Sequence, residues 1–363
     1  MNITTKSIIW KITDLYKKYG YNQFKMNKFE EYDIYVNNKD FLKSDKMITF
    51  TDTNGKLLAM KPDVTISIIK NSEAKNHVEK VYYNENVYRV SEGSYSFKEI
   101  MQSGLECIGD IDMYNICETV LLAAKTLECV CENFVLDVSH LGIVSAILKA
   151  ANLENSDMKA ALEAISSKNL PSLKEICERK GLSRVWSEKI YALVNLCGPI
   201  GEIAEKMDVF CIDEKTTQAV EELKEICAVL SDNGIEDKVR IDFSVVNDMS
   251  YYNGIVLKGY VEGVPMGVLS GGEYDGLVKK MGKDAKGLGF ALYLDMLERL
   301  FVQTKEYDAD VLITYEKGTA CSEISKVMRS YIESGKTVTV QGNENANLKC
   351  REKVFITKAG EIK

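Results

Sequence analysis

The apolar positions of this chain recur with two periods, and the switches between them mark its elements. From Val81 to Tyr88 the side chains are β-branched and aromatic, which predicts a strand. A polar turn, Ser91 to Ser94, separates it from a second run, Phe97 to Ile108, so the two form an antiparallel pair. Residues 6–19 carry Ile8, Ile12, Leu15 and Tyr19 at helical spacing and stop at Gly20. Tyr21 to Glu30 reads as extended. Lys46 to Pro62 predicts a hairpin turning at Asn54-Gly55, which tolerates the positive φ of a tight turn. A helix then begins at Ile66, and a longer one spans Asp112 to Cys131, with Ile116, Val120, Leu121, Ala124 and Leu127 along one side. Phe134 to Val138 follows as a strand and Leu141 to Leu153 as a helix. Residues 154–235 are helical in pattern. Strands are expected over 238–246, 251–260, 268–270 and 287–294, and a helix from Asp295. After a charged break, Glu306 to Asp310, come a strand at Val311–Thr314, a helix at Cys321–Ser334 and strands at Thr337–Gln341 and Val354–Thr357. The expected organisation is a core over 1–305, with a helical insertion at about 154–235, and a small α/β domain over 306–363. That last unit is short for an independent core.

One alternation carries chemistry. Gln102, Gly104 and Glu106 fall at i, i+2 and i+4 of a predicted strand, hence on one face, and Arg89 ends the strand paired with it. Those polar groups on a concave face suit a small zwitterion. An ordinary solvated sheet face gives the same pattern. Asp63 and Thr65, at the start of the helix after the hairpin, have two readings as well: helix caps or ligand contacts.

Composition narrows the field. The 363 residues carry a net charge of −8, which leans against a nucleic-acid surface. No apolar run is long enough to span a membrane and no signal-peptide pattern opens the chain, so a cytoplasmic protein is expected. The ten cysteines are scattered, most of them in apolar helical patterns, as in reducing compartments. Cys129 and Cys131 form the one close pair, and with no second Cys/His pair nearby no metal site is expected. No cofactor is expected either. The two histidines, His77 and His140, read as surface or strand-end residues, and they support no nucleophilic triad.

Four phrases in one order sharpen the reading. They are Tyr88-Arg89 with Gln102-Ser-Gly-Leu-Glu106-Cys-Ile-Gly109, then Tyr251-Tyr252-Asn253-Gly254, then Gly271-Gly272-Glu273-Tyr274-Asp275-Gly276, then Gly287-Leu-Gly289-Phe290-Ala291. Together they resemble a class II aminoacyl-tRNA synthetase, specifically histidyl-tRNA synthetase, over roughly residues 5–300. The resemblance implies an α+β fold: six or seven antiparallel strands flanked by helices, a helical insertion, and a C-terminal domain like the anticodon-binding one. It implies a homodimer, although Asn27 stands near the place of the usual motif 1 proline. It also implies a histidine pocket. Glu106 and Tyr252 would hold the imidazole, Asp63 and Gln102 would face the amino group, and Thr65, Arg89 and Tyr251 would complete the site.

The departures from that family are as informative as the matches. Met296 stands where the family's motif 3 arginine binds ATP, and Tyr293 where it has a small glycine under the nucleotide. Asn247 replaces the arginine of the histidine-specific phrase, Glu273 the arginine after the glycine pair, and Lys98 the arginine of the motif 2 loop; Arg299 lies three residues beyond Met296. Guanidinium groups hold polyphosphate bidentately, and losing one preorganised donor costs ~100- to 1000-fold in rate. A synthetase-like core without them, with a shortened tRNA domain, resembles the regulatory subunits of ATP phosphoribosyltransferase. That resemblance implies no catalysis by this chain itself. It implies a short catalytic partner subunit, feedback by histidine and little use for tRNA.

Overall fold

A computed structural model describes residues 3–42, 46–73, 77–90, 96–246, 251–297, 307–343 and 348–362. Its strands are β1 (Asn22–Gln23), β2 (Phe29–Glu31), β3 (Thr49–Thr51), β4 (Leu57–Met60), β5 (Glu79–Val90), β6 (Phe97–Gly109), β7 (Phe134–His140), β8 (Cys197–Pro199), β9 (Val239–Asp242), β10 (Ile255–Val261), β11 (Leu269–Glu273), β12 (Lys286–Tyr293), β13 (Ala309–Tyr315), β14 (Val338–Gln341) and β15 (Cys350–Ile356). By contact density the chain divides into two compact units, Met1–Phe301 and Val302–Lys363.

The first unit is built on a nine-stranded sheet in the order β1-β5-β6-β12-β11-β10-β7-β9-β8. From β5 to β7 every pairing is antiparallel, as the class II resemblance implies. Outside this run the sheet has pairings that alternation did not signal. β1 pairs parallel with β5, and β9 parallel with β7. β8 comes from within the helical insertion and pairs with β9. Two- to four-residue edge strands are too short to display a period.

Helices Ile3–Lys18 and Met113–Val130 share one large core with the sheet face that carries Tyr82, Leu105 and Cys107. Asp112 starts the second helix with a capping box: its carboxylate accepts from the Asn115 amide at 3.0 Å, and the Asn115 side chain accepts from the Asp112 amide at 3.2 Å. The insertion has no core of its own, because Val220, Leu223, Ile226 and Leu230 of helix Glu214–Asp232 join this same cluster. Pro171 sits in the first turn of helix Leu170–Arg179, where its missing N–H costs nothing.

A second, smaller core lies on the opposite sheet face. There Val81, Tyr83, Val87 and Ile108 pack with Ala59 of the hairpin, Ile66 and Ile69 of helix Thr65–Asn71, and Tyr274 and Leu277. The hairpin belongs to a separate three-stranded sheet, β2-β4-β3. Gly55 takes the positive φ of its turn, +84°.

Three expectations need correction. Of 238–246 only Val239–Asp242 is strand. Tyr251 to Asn253 is loop, because the Asn253 amide bonds to the Glu273 carbonyl at 2.9 Å before the β10 ladder begins. Where a helix is expected from Asp295, the first residues form a 3₁₀ turn, Leu294–Leu297, and residues 298–301 lie outside the described residues.

The second unit, considered by itself, is a parallel sheet in the order β14-β13-β15 with helix Cys321–Glu333 packed on it. Val311, Ile313, Val354 and Ile356 form its core. Among the described residues no helix is long and apolar enough to cross a membrane.

Candidate functional site: a buried polar pocket

Alternation along β6 sends Leu105 and Cys107 toward the helices and Gln102, Gly104 and Glu106 toward the smaller core. Both faces are buried, so the polar one is no solvated sheet face. Above it lies a cavity of about 110 Å³. All seven candidate residues line that cavity: Asp63, Thr65, Arg89, Gln102, Glu106, Tyr251 and Tyr252.

Glu106 is the pivot. It is 2% exposed, and both its oxygens are engaged: Thr65 Oγ1 donates to Oε1 at 2.7 Å and the Tyr274 hydroxyl to Oε2 at 2.6 Å. Burial pushes its carboxyl up to about 8, the two hydrogen bonds pull it back, and Asp63 adds to the rise. The approach to β12 is close. A Cβ on Gly289 would stand 1.8 Å from Glu106 Oε2, so this strand position accepts only glycine.

Asp63 bonds to the start of the helix and pairs with Arg89 at the cavity wall. Oδ1 accepts from the Ile66 amide at 3.0 Å, capping the helix, and Oδ2 accepts from Arg89 Nη2 at 3.3 Å. Arg89 is fixed by a second bond, from Nε to the Pro62 carbonyl at 2.6 Å. Gln102 is 3% exposed, and its Nε2 has no hydrogen-bond partner among the described residues, a donor held ready in a polar cavity. Tyr251 stacks edge-on against Tyr252 at 4.7 Å and against Phe41 at 5.9 Å, and burial raises its phenol well above the ordinary range.

Sequence reasoning missed several lining residues. Tyr274 lies inside a quoted phrase but received no role; its bond to Glu106 spans 168 residues of chain. Tyr83 stands opposite Gly104 in the β5–β6 register, so period-2 counting from Glu106 could have found it. Asp40 and Phe41, on a 3₁₀ turn, gave no signal.

The substituted positions divide. Tyr293 lines the cavity, its hydroxyl 2.9 Å from that of Ser270. Met296 packs against the main core. Lys98 is exposed, opposite Arg89. Glu273 is outside the lining; its Oε2 accepts from the Ile255 amide at 2.9 Å, and burial raises its carboxyl. Asn247, Arg299 and the turn at 91–95 lie outside the described residues.

Elsewhere, His77 is exposed. His140 ends β7 as a strand-end residue, but it is buried rather than on the surface, at 8% exposure. Its Nε2 lies 3.7 Å from Glu222 Oε1. Burial drives the two in opposite directions, the imidazole down to about 4 and the carboxyl up to about 8, so both are neutral near pH 6–7. Neither lines the cavity.

The histidyl-tRNA synthetase family model matches residues 4–297. An ATP phosphoribosyltransferase regulatory subunit from Clostridium botulinum (strain 657 / Type Ba4) is 30% identical over 315 residues, covering 84% of this chain and 74% of that one. The chain belongs to the histidyl-tRNA synthetase-like family of ATP phosphoribosyltransferase regulatory subunits. A second regulatory subunit, from Oceanobacillus iheyensis, is 26% identical over 349 residues, 94% of this chain and 85% of that one. A crystal structure described as an ATP phosphoribosyltransferase regulatory subunit/histidyl-tRNA synthetase from Bacillus halodurans superposes with TM-score 0.79 at 23% identity, covering 98% of this chain and 94% of that one. The ATP phosphoribosyl transferase (HisG:HisZ) complex from Thermotoga maritima contains a chain that matches with TM-score 0.62 at 18% identity, covering 79% and 96%. These likenesses place the fold in the class II synthetase type.

Proposed function

We propose that this chain is the regulatory subunit of an ATP phosphoribosyltransferase, which assembles with a short catalytic subunit, activates it and carries histidine feedback on the first step of histidine biosynthesis. The observation that carries the reading is the pocket of this family member: a buried carboxyl, Glu106, oriented by two hydroxyls, beside the Asp63–Arg89 pair and the free donor of Gln102. An imidazole N–H fits the first group, and the amino and carboxyl ends of a free amino acid fit the second. The chain itself is non-catalytic in this reading. Met296 packs against the core where a phosphate-binding guanidinium would be needed, and Tyr293 fills space at the cavity wall. Ten free cysteines suit the cytoplasm. The chain works as a homodimer within a hetero-oligomer and makes no productive contact with tRNA.

Reconstitution tests this. The purified chain is mixed with a short-form catalytic subunit from the same genome, and phosphoribosyl transfer to ATP is followed with and without histidine. The expected result is a co-eluting complex, activity well above that of the catalytic subunit alone, and inhibition by histidine. Absence of a complex would count for a free-standing histidine-binding or RNA-binding paralogue. Histidine-dependent ATP–pyrophosphate exchange by the chain alone would overturn the non-catalytic reading.

A further inference from the structure

The two ends of the cavity are built differently. In the β6–β12 ladder Glu106 stands opposite Gly289 and Gln102 opposite Tyr293. These pairs are four residues apart on each strand, on the same face, hence ~14 Å apart at ~3.4 Å per residue. At the Glu106 end glycine makes room. At the Gln102 end the Tyr293 side chain lines the cavity, and its hydroxyl reaches across to Ser270 on β11 at 2.9 Å. A ring anchored to the neighbouring strand is a wall rather than a mobile rim. The space between the ends, about 110 Å³, is small beside the roughly 300–1,000 Å³ of pockets for drug-sized ligands.

Resting on the histidine reading above, an imidazole at Glu106 directs the amino-acid end toward Gln102 and therefore toward Tyr293. We propose that Tyr293, anchored by Ser270, determines the pocket's specificity for a free amino acid, excluding the same amino acid extended at its carboxyl carbon. The excluded class is amides, esters and mixed anhydrides with a bulky leaving portion. The site thereby responds to free histidine and not to activated or conjugated forms of it. Steric exclusion of this kind works because a packed wall resists the insertion of extra bulk.

The test titrates the full chain calorimetrically with L-histidine, L-histidinamide and L-histidine β-naphthylamide. Histidinamide removes the carboxylate charge without adding bulk, so the ratio of the two amides isolates size from charge. In the wild type the naphthylamide is expected to bind at least ~30-fold more weakly than histidinamide. Tyr293→Ala should narrow that ratio to within ~3-fold while retaining histidine binding, and Tyr293→Phe, which keeps the ring, should retain at least ~10-fold. Should the alanine variant fail to fold, Tyr293→Val shortens the wall with a good strand former. Equal wild-type affinities for the two amides overturn the proposal, as does a shortened-wall variant that binds histidine and still rejects the naphthylamide. Wild type that binds none of the three overturns the histidine reading itself, a distinct result.

Discussion

Leu105 and Glu106 are neighbours on one strand, 0% and 2% exposed, and they face opposite ways. Leu105 enters the large apolar core, where removal from water alone stabilises it by roughly 25 cal/mol per Å². Glu106 enters a polar cavity, where burial of a charge costs more than two hydroxyl donors return, so the group gives up its charge instead of finding a cation. The nearby guanidinium of Arg89 is already committed to Asp63 and Pro62. One face is arranged for stability. The other tolerates an unfavourable burial and an idle donor at Gln102, an arrangement expected where a ligand completes the set.

The sharpest way to break that contrast is on the apolar side. Leu105→Ala should lower unfolding free energy by ~2–5 kcal/mol, because a buried leucine leaves a cavity that the sheet cannot close. Histidine affinity of the folded fraction should stay within about twofold, since Leu105 does not face the pocket. Urea denaturation alongside calorimetry checks both. A loss under ~1 kcal/mol would mean that this face is not the structural one.

Glu106→Gln probes the polar side and should do the reverse. Histidine binding should weaken ~10-fold or more, on the order of 1.5–3 kcal/mol for a hydrogen bond to a group that must ionise. Stability should rise with a defined pH signature. The folded-state carboxyl titrates at about 8, above its ordinary 4.5. Its favourable contribution is therefore complete below pH 4.5 and is lost as pH climbs through 8. Glutamine does not titrate, so the thermal-melting gap between variant and wild type should be small near pH 4.5, widen up to pH 8 and level off beyond it. A gap independent of pH would rule out a neutral, buried Glu106.

How much of this was legible follows from distance along the chain. The two strands around 81–109 showed their period plainly, and Asn54-Gly55 fixed the hairpin, because both signals are local. Gln102, Gly104 and Glu106 were rightly placed on one face, yet a solvated face would read the same. What buries them is remote: Thr65 lies 41 residues from Glu106 and Tyr274 lies 168. Period-2 counting cannot report a partner from another part of the sheet. For the same reason the parallel pairings of β1 and β9 were silent, although both segments read as extended, since each reaches its partner through a helix-containing connection. Asp63 left two readings open because its two oxygens do two things, one of them a cap.

The smallest expected effect separates a hydrogen bond from mere packing. Tyr274→Phe keeps the ring in the small core and deletes only the donor to Glu106 Oε2. Thr65 still holds the other oxygen, so the loss should be modest: ~0.5–1.5 kcal/mol in histidine binding, about 2- to 10-fold. The Tyr274 bond lowers the Glu106 carboxyl, so its removal should push that group further up and extend the pH-dependent loss of stability to higher pH. The decisive measurement is a double-mutant cycle. In a Glu106→Gln background, Tyr274→Phe should cost clearly less than in the wild type, because the charge that the hydroxyl helps to support on binding is already gone. Equal costs in both backgrounds would mean that Tyr274 acts through its ring alone, and the pocket would then lose its claim to a carboxyl oriented for a ligand.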